Sequence, residues 1–168
     1  MLKNNPRCLS ARSELKGSIL VMGTDNANAA ESTSSADLKQ VVRRLIDDVM
    51  NAGRLDVLDE LYDSRLAPVA RRWVEPFLGS FTEVHMRVVE LVAEDGTVVG
   101  RFACSGTHTG TWLGHAATGR RFTDVAEVYF FRIVDGRITR AWELEDTLTR
   151  LRQLGLAGPH RPPAKESA

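Results

Sequence analysis

Apolar residues along this chain change their spacing once, from three-and-four to two, and the change divides the sequence. Leu38, Val41, Val42, Leu45, Val49 and Met50 recur at helical spacing and share one face. Ser34, three residues before Asp37, is placed to cap the start of that helix. Gly53 is placed to end it, since glycine adopts the left-handed conformation cheaply. A short second helix carries Leu55, Leu58, Leu61 and Tyr62. A third starts near Pro68, a residue tolerated in a first turn, and Val69, Trp73, Phe77 and Phe81 continue it at spacing four. Pro76 lies inside that run and predicts a kink or an early stop.

Beyond Phe81 the period is two. Val84, Met86 and Val88 alternate with His85 and Arg87, as in a half-buried strand. Asp95-Gly96 is a favoured hairpin dipeptide and predicts a return strand over Thr97 to Thr107. A connection rich in glycine and threonine follows, from Gly106 to Gly119. A long strand is predicted from Phe122 to Val134, a second hairpin at Asp135-Gly136, and a partner strand from Arg137 to Asp146. A closing helix from Thr147 carries Leu148, Leu151 and Leu154, and Gly155 ends it. Helices first, then an antiparallel meander, then one helix is an α+β order, with the N-terminal helices packed on a curved, mostly antiparallel sheet.

This pattern occupies residues 37–156. Residues 1–36 carry no periodic core and, rich in Ala, Ser, Asn and Thr after Gly23, read as a disordered arm. Residues 157–168, with three prolines, read as a flexible tail. Met22 is a second candidate for the start of the chain. The apolar stretch Ile19 to Met22 is shorter than the roughly 7–15 residues of a secretory core, so a cytoplasmic location is expected. No run approaches the roughly 20 apolar residues of a membrane span.

Composition narrows the partners. The 168 residues carry zero net charge, which removes the basic field that nucleic acid or an anionic membrane would require. The two cysteines, Cys8 and Cys104, make no disulfide framework. His85, His108 and His115 have no ligand spacing, so no metal site is expected. Ser105 lacks a nucleophile-elbow context, and Gly106, Gly110 and Gly114 lie in no βαβ unit, so neither a serine hydrolase nor a dinucleotide site is indicated.

The densest candidate chemistry is Glu143, Glu145 and Asp146, at the end of the last strand. With Asp135-Gly136 as a two-residue turn, Tyr129 falls opposite Trp142, Glu127 opposite Leu144 and Val125 opposite Asp146. Glu127, Tyr129, Phe131, Ile138, Trp142, Leu144 and Asp146 then share one face, and Val128, Phe130, Glu143 and Glu145 the other. The first face is the more apolar and is expected to line a pocket. A carboxylate there has its charged form disfavoured and becomes a usable base near neutral pH. The competing assignment is a solvated cluster paired with Arg140, Arg150 or Arg152. His108, at a strand end between threonines, either bonds a substrate carbonyl or satisfies loop backbone. Trp73, Trp112, Tyr129 and Trp142 either wall a pocket or pack the core.

Several of these motifs occur together, in order. Gly106-Thr107-His108-Thr109-Gly110, Leu113-Gly114 and Thr118-Gly119-Arg120-Arg121 are followed by Val128 to Arg132, Asp135 to Ile138, Trp142, Asp146 and Gln153-Leu154-Gly155. Between Leu38 and Gly155 the chain resembles the SnoaL-like polyketide cyclases, or ester cyclases, of the nuclear transport factor 2-like superfamily. The resemblance implies a cone-shaped α+β barrel with a deep apolar pocket, often dimeric. It also implies acid/base chemistry without a cofactor: intramolecular aldol closure of a small, apolar, carbonyl-rich substrate. The family's acidic residue on the last strand maps first to Asp146 and second to Glu143. The expected substrate-binding residues are His108, Trp112, Tyr129, Trp142, Trp73 and Glu127. Relatives often carry a pocket histidine after the second helix. Here the path from Tyr62 through Pro68 to Trp73 has none, so a non-catalytic binding or accessory protein of the same fold stays open as the alternative. Val128 and Phe130, alternating away from the expected pocket, predict a homodimer through the outer sheet face.

Overall fold

A computed structural model describes residues 34–158. The expected arm, as far as residue 33, and the expected tail, from residue 159, lie outside the described residues.

Helix α1 (Ser35–Arg44) opens on a reciprocal cap: the Ser34 hydroxyl accepts from the Asp37 amide, and the Asp37 carboxylate accepts from the Ser34 amide. The helix then loosens into a π-turn segment, Leu45–Asn51, and stops at Gly53, whose φ is +70°. Of the predicted stripe, Leu38, Val42, Leu45 and Val49 are buried and Val41 and Met50 partly so, and Ile46, which the spacing did not single out, is buried with them. A single 3-10 turn, Leu55–Val57, leads into α2 (Leu58–Leu61). Helix α3 (Ala67–Ser80) has proline in its first turn. It continues through Pro76, so the predicted early stop does not occur. Proline there removes one backbone bond, and the Ser80 hydroxyl ties the last turn by bonding both the Pro76 carbonyl and the Thr111 carbonyl at 2.7 Å. Phe81, expected to extend this helix, instead opens the first strand.

The sheet is an antiparallel meander in the order β1 (Phe81–Glu94), β2 (Thr97–His108), β3 (Arg121–Val134) and β4 (Arg137–Glu145), closed by α4 (Thr147–Gln153). Both Asp-Gly turns form as predicted, with φ of +46° and +73° at Asp95-Gly96 and +49° and +73° at Asp135-Gly136. The ladders slip at several bulges, including Thr82/His85 and Val88/Glu90 in β1 and Cys104/Gly106 in β2, and such extra residues bend a sheet. The helices pack against the inner face of this curved sheet. The core fills the gap with Phe102, Cys104, Phe122, Val125, Phe131 and Ile133 facing the helical apolar stripes. No helix among the described residues is long and apolar enough to cross a membrane.

One bulge decides the site. Val134 pairs with Arg137 and Ile133 with Ile138, as an uninterrupted hairpin requires, but Arg132 then pairs with Arg140. Thr139 is the extra residue, and its hydroxyl bonds the Arg132 carbonyl at 3.3 Å. Beyond it the register is one residue off the predicted one. Tyr129 lies opposite Glu143, Glu127 opposite Glu145 and Phe130 opposite Trp142. A one-residue slip moves every following side chain to the other face. The predicted inner face of β3 is therefore kept, while that of β4 is exchanged.

Candidate functional site

A cavity of about 750 Å³ lies between the helices and the inner sheet face. Its apolar walls come from Leu45, Ile46, Met50, Leu66, Val69, Phe77, Met86 and Phe131. Trp73, on α3, and Leu113, in the β2–β3 connection, line it but are largely exposed, which puts them toward solvent. Trp112 also lines it and packs edge-on against Phe81 at 5.3 Å between centroids. The connection is held to the end of α3 by the Thr109 and Gly110 amides, which donate to the Ser80 carbonyl at 3.0 and 2.9 Å. A side chain at position 110 would not fit: a Cβ there would stand 2.5 Å from the Gly79 carbonyl oxygen.

The polar wall is formed where β3, β4 and the start of α4 meet. Glu127, only 2% exposed, accepts from the Arg150 guanidinium with one oxygen and from the Tyr129 hydroxyl, at 2.9 Å, with the other. Glu145 accepts from Arg150 at 2.6 Å and from the Thr147 hydroxyl at 2.8 Å. Arg150 is itself 1% exposed, and the rings of Phe122, Phe77 and Trp112 stand 4.9 to 5.4 Å from its central carbon. Such a buried ion is tolerable only because it is paired and stacked. Glu143 also lines the cavity at its solvent-exposed edge, and among the described residues its carboxylate makes no ion pair and has the Tyr129 hydroxyl as its polar neighbour. The shorter bond of the Tyr129 hydroxyl is the one it donates to Glu127, at 2.9 Å.

Burial pushes the Glu143 carboxyl above the usual carboxylate range, and the negative Glu145 beside it pushes the same way; Tyr129 and Arg150 offset part of this. Burial also raises Glu127, against the pull of Arg150. The Tyr129 phenol is held well above its ordinary range by burial and by the carboxylates Glu127 and Glu143.

The sequence-derived candidates divide accordingly. Glu127, Tyr129, Glu143, Trp73 and Trp112 come together around the cavity. Trp142 borders it, but its indole lies on the outer face, 56% exposed and 5.1 Å from the Phe130 ring. Asp146 does not have the apolar, raised-pKa setting expected of it. It caps α4, accepting from the Thr149 amide at 2.9 Å, and its pKa is lowered by its hydrogen bonds to Thr149. The bulge at Thr139 is the cause, since it shortens the inward-facing run of β4 to Ala141, Glu143 and Glu145. His108 is fully buried but is not among the residues lining the cavity. Its Nδ1 accepts from the Thr118 amide at 3.3 Å, so it serves the loop backbone. Among the described residues no group of three or more His, Cys, Asp or Glu side chains is arranged to hold a metal ion.

Arg150 is the residue that sequence reading undervalued, having named it only as a partner for a solvated cluster. Thr147, Arg150, Leu151 and Leu154 stand at spacings of three and four, so Arg150 occupies a position on the packed stripe of α4. Leu148, predicted for that stripe, is half exposed instead. An arginine at an apolar-face position was the signal available.

Residues 40–154 match the family model of the SnoaL-like polyketide cyclases. Over 110 residues the chain is 32% identical to aklanonic acid methyl ester cyclase DnrD of Streptomyces peucetius, a match covering 66% of this chain and 74% of that protein. It is 28% identical over 129 residues to aklanonic acid methyl ester cyclase DauD of Streptomyces sp. (strain C5), covering 77% and 78% of the two chains. Among solved structures it superposes on TsrD from Streptomyces laurentii with a TM-score of 0.66 at 25% identity, covering 74% of this chain and 98% of that one.

Proposed function

We propose that this chain, which belongs to the family of SnoaL-like polyketide cyclases, closes a ring in a small, apolar, carbonyl-rich substrate by intramolecular aldol attack, with Glu143 as the base. The cavity is the substrate site, and the relatives named as aklanonic acid methyl ester cyclases supply the reaction class. The observation that carries the reading is the occupancy of three carboxylates. Glu127 and Glu145 each have both oxygens engaged, by Arg150 and by the Tyr129 and Thr147 hydroxyls, whereas Glu143 makes no ion pair among the described residues, has only the Tyr129 hydroxyl beside it, and lines the cavity.

A carbon acid flanked by two carbonyls is acidic enough for a carboxylate to deprotonate, so the protein's task is orientation and a base of suitable strength. Apolar walls hold the chain folded on itself. Glu143, lifted by burial and by Glu145, takes the proton from the carbon between the carbonyls. The electron pair left behind attacks a second carbonyl carbon, and Glu143 returns its proton to the new alkoxide. Glu127, Glu145 and Arg150 hold the wall rigid, and the fixed charge of Glu145 sets the strength of the base. Trp73, Trp112 and Tyr129 contact the substrate, with Trp142 at the border.

Glu143→Gln keeps shape and polarity and removes the base. The expected result is a loss of about 10²–10⁴-fold in turnover of an apolar polyketone ester, with substrate affinity little changed. The rate of the unaltered protein should rise with pH through a midpoint above the ordinary glutamate range. Unchanged turnover in Glu143→Gln would leave the cavity as a binding site and favour the accessory-protein alternative.

A further inference from the structure

The carboxylates are not the only pocket groups that differ in occupancy, for the two tyrosines differ in the same way. Tyr129 and Tyr62 both line the cavity. The Tyr129 hydroxyl is spent on Glu127. The Tyr62 hydroxyl has no hydrogen-bond partner among the described residues, although Tyr62 is only 5% exposed. Among the described residues the sealed side-chain atoms without a partner are His108 Nε2 and Arg150 Nε, so the Tyr62 hydroxyl reaches open space beside the cavity its ring lines, where a ligand can accept its hydrogen bond.

The placement of Tyr62 is firm. It ends α2 in an extended conformation, with φ −105° and ψ 156°. Its backbone bridges to Ile138 in β4, its carbonyl accepts from Arg137 at 3.0 Å, and the next amide, of Asp63, donates to the Ile138 carbonyl at 3.0 Å. The ring is thereby fastened beside β4, the strand that carries Glu143. Tyr62 and Glu143 both line the cavity.

We infer that Tyr62 is a second catalytic group, donating its phenolic hydrogen bond to the carbonyl oxygen that accepts the new carbon–carbon bond. The inference rests on the proposed aldol reading, and it narrows the substrate to one presenting a ketone oxygen toward α2 while the acidic C–H faces β4. It also replaces direct protonation of the alkoxide by Glu143 with a relay. Glu143 takes the C–H proton, the carbanion pair forms the new bond, and the carbonyl π pair moves onto the oxygen held by Tyr62. The phenolic proton passes to that oxygen, and the neighbouring protonated Glu143 restores it to Tyr62. Proton count and charge return to their starting values with no outside donor. Burial and Glu143 both raise the phenol above its ordinary range, so Tyr62 is protonated and able to donate at neutral pH.

The probe is a 2-methyl-1,3-diketone, kept mostly ketonic by the methyl group, that carries a distal aryl ketone on a tether too short to close a ring, with ¹³C at that distal ketone. Infrared difference spectra report hydrogen bonding to that carbonyl, and exchange of the central C–H in D₂O reports proton abstraction. Bound to the unaltered protein, the carbonyl band should shift to lower frequency. In Tyr62→Phe, which keeps the ring and its packing, the shift should disappear, exchange should be kept, and ring closure of the longer-tethered homologue should fall by about 10²-fold, the usual cost of losing one donor to a developing oxyanion. Glu143→Gln should lose exchange and keep the shift. No shift in the unaltered protein, or an equal shift in Tyr62→Phe, overturns the role of Tyr62. Normal exchange in Glu143→Gln overturns the base instead and leaves the donor to be judged on the band alone.

Discussion

Replacing Arg150 by methionine keeps most of the volume between Phe77, Trp112 and Phe122 and removes the charge. Two carboxylates lose their partner, but unequally. Glu145 is partly exposed and retains the Thr147 hydroxyl, so water can take over its second oxygen. Glu127, 2% exposed, keeps only the Tyr129 hydroxyl and becomes a stranded buried charge. Breaking a buried pair by removing one partner typically costs about 3–5 kcal/mol. At about 4 °C per kcal/mol for a folded body of this length, the melting temperature should fall by about 12–20 °C. The loss should depend on pH with a definite sign. The Glu127 pKa, already raised by burial, rises further without Arg150. A group whose folded pKa exceeds its unfolded value is tolerated below the unfolded pKa and destabilises as pH rises through the folded one. The deficit should therefore be small near pH 4 and largest above neutrality. Adding Glu127→Gln should recover most of it, because a neutral amide needs no counter-charge. Thermal unfolding of the two variants across pH checks this. A loss under about 1 kcal/mol, flat with pH, would refute the buried-pair account, since that is the behaviour of a solvated surface pair.

Asp146→Ala should lower the melting temperature by uncapping α4 while leaving α-proton exchange intact. Because the Asp146 pKa is lowered in the folded state, that stabilisation is present above the unfolded value and should vanish as pH falls through the folded one, as calorimetry on both proteins would show. On the outer sheet face Val128 and Phe130 are joined by Trp142 and by Leu144, itself 64% exposed, and this enlarged apolar patch is proposed to bury in a homodimer. Sedimentation should give a dimer at micromolar concentration, with Leu144→Glu shifting it to monomer; a monomeric unaltered protein would end that reading. Deleting the residues before Gly23, which carry no periodic apolar pattern, should leave the melting temperature unchanged.

Most of the fold was legible because each element announces itself locally. Ser34 and Asp37 form the cap they were expected to form, and Gly53 ends the first helix segment with positive φ. Both Asp-Gly pairs make their hairpins. Helical and strand periods divided the chain at Phe81, to within the few residues by which α3 and β1 exchanged their boundary. What was not legible depends on non-local terms. Nothing in Arg137-Ile138-Thr139-Arg140 marks Thr139 as an extra residue, because a bulge is set by how the whole ladder twists against the helices. For His108 the sequence left two readings, a substrate carbonyl or the loop backbone, and the Thr118 amide claims its Nδ1 from across a loop whose path a sequence does not give.

The bulge also shows why an acidic residue on the last strand is insufficient to locate a base. Three acidic side chains occur within four positions, and alternation alone sends Glu143 and Glu145 to one face and leaves Asp146 to end the strand. In the uninterrupted register the pair points away from Glu127 and Tyr129, and Arg140 and Asp146 are the charged residues left on the cavity face of the last strand. With Thr139 inserted, the pair joins them, and a helix residue five positions beyond Glu145 can bridge Glu145 to Glu127. That bridge separates the roles of the carboxylates. Arg150 cannot fork to a third carboxylate, so Glu143 is left without an ion pair at the exposed edge of the cavity, beside a negative neighbour, with its charged form disfavoured. The reactivity assigned to Glu143 is thus a consequence of one extra residue in the hairpin and one arginine on a helix stripe, and neither change can supply it without the other.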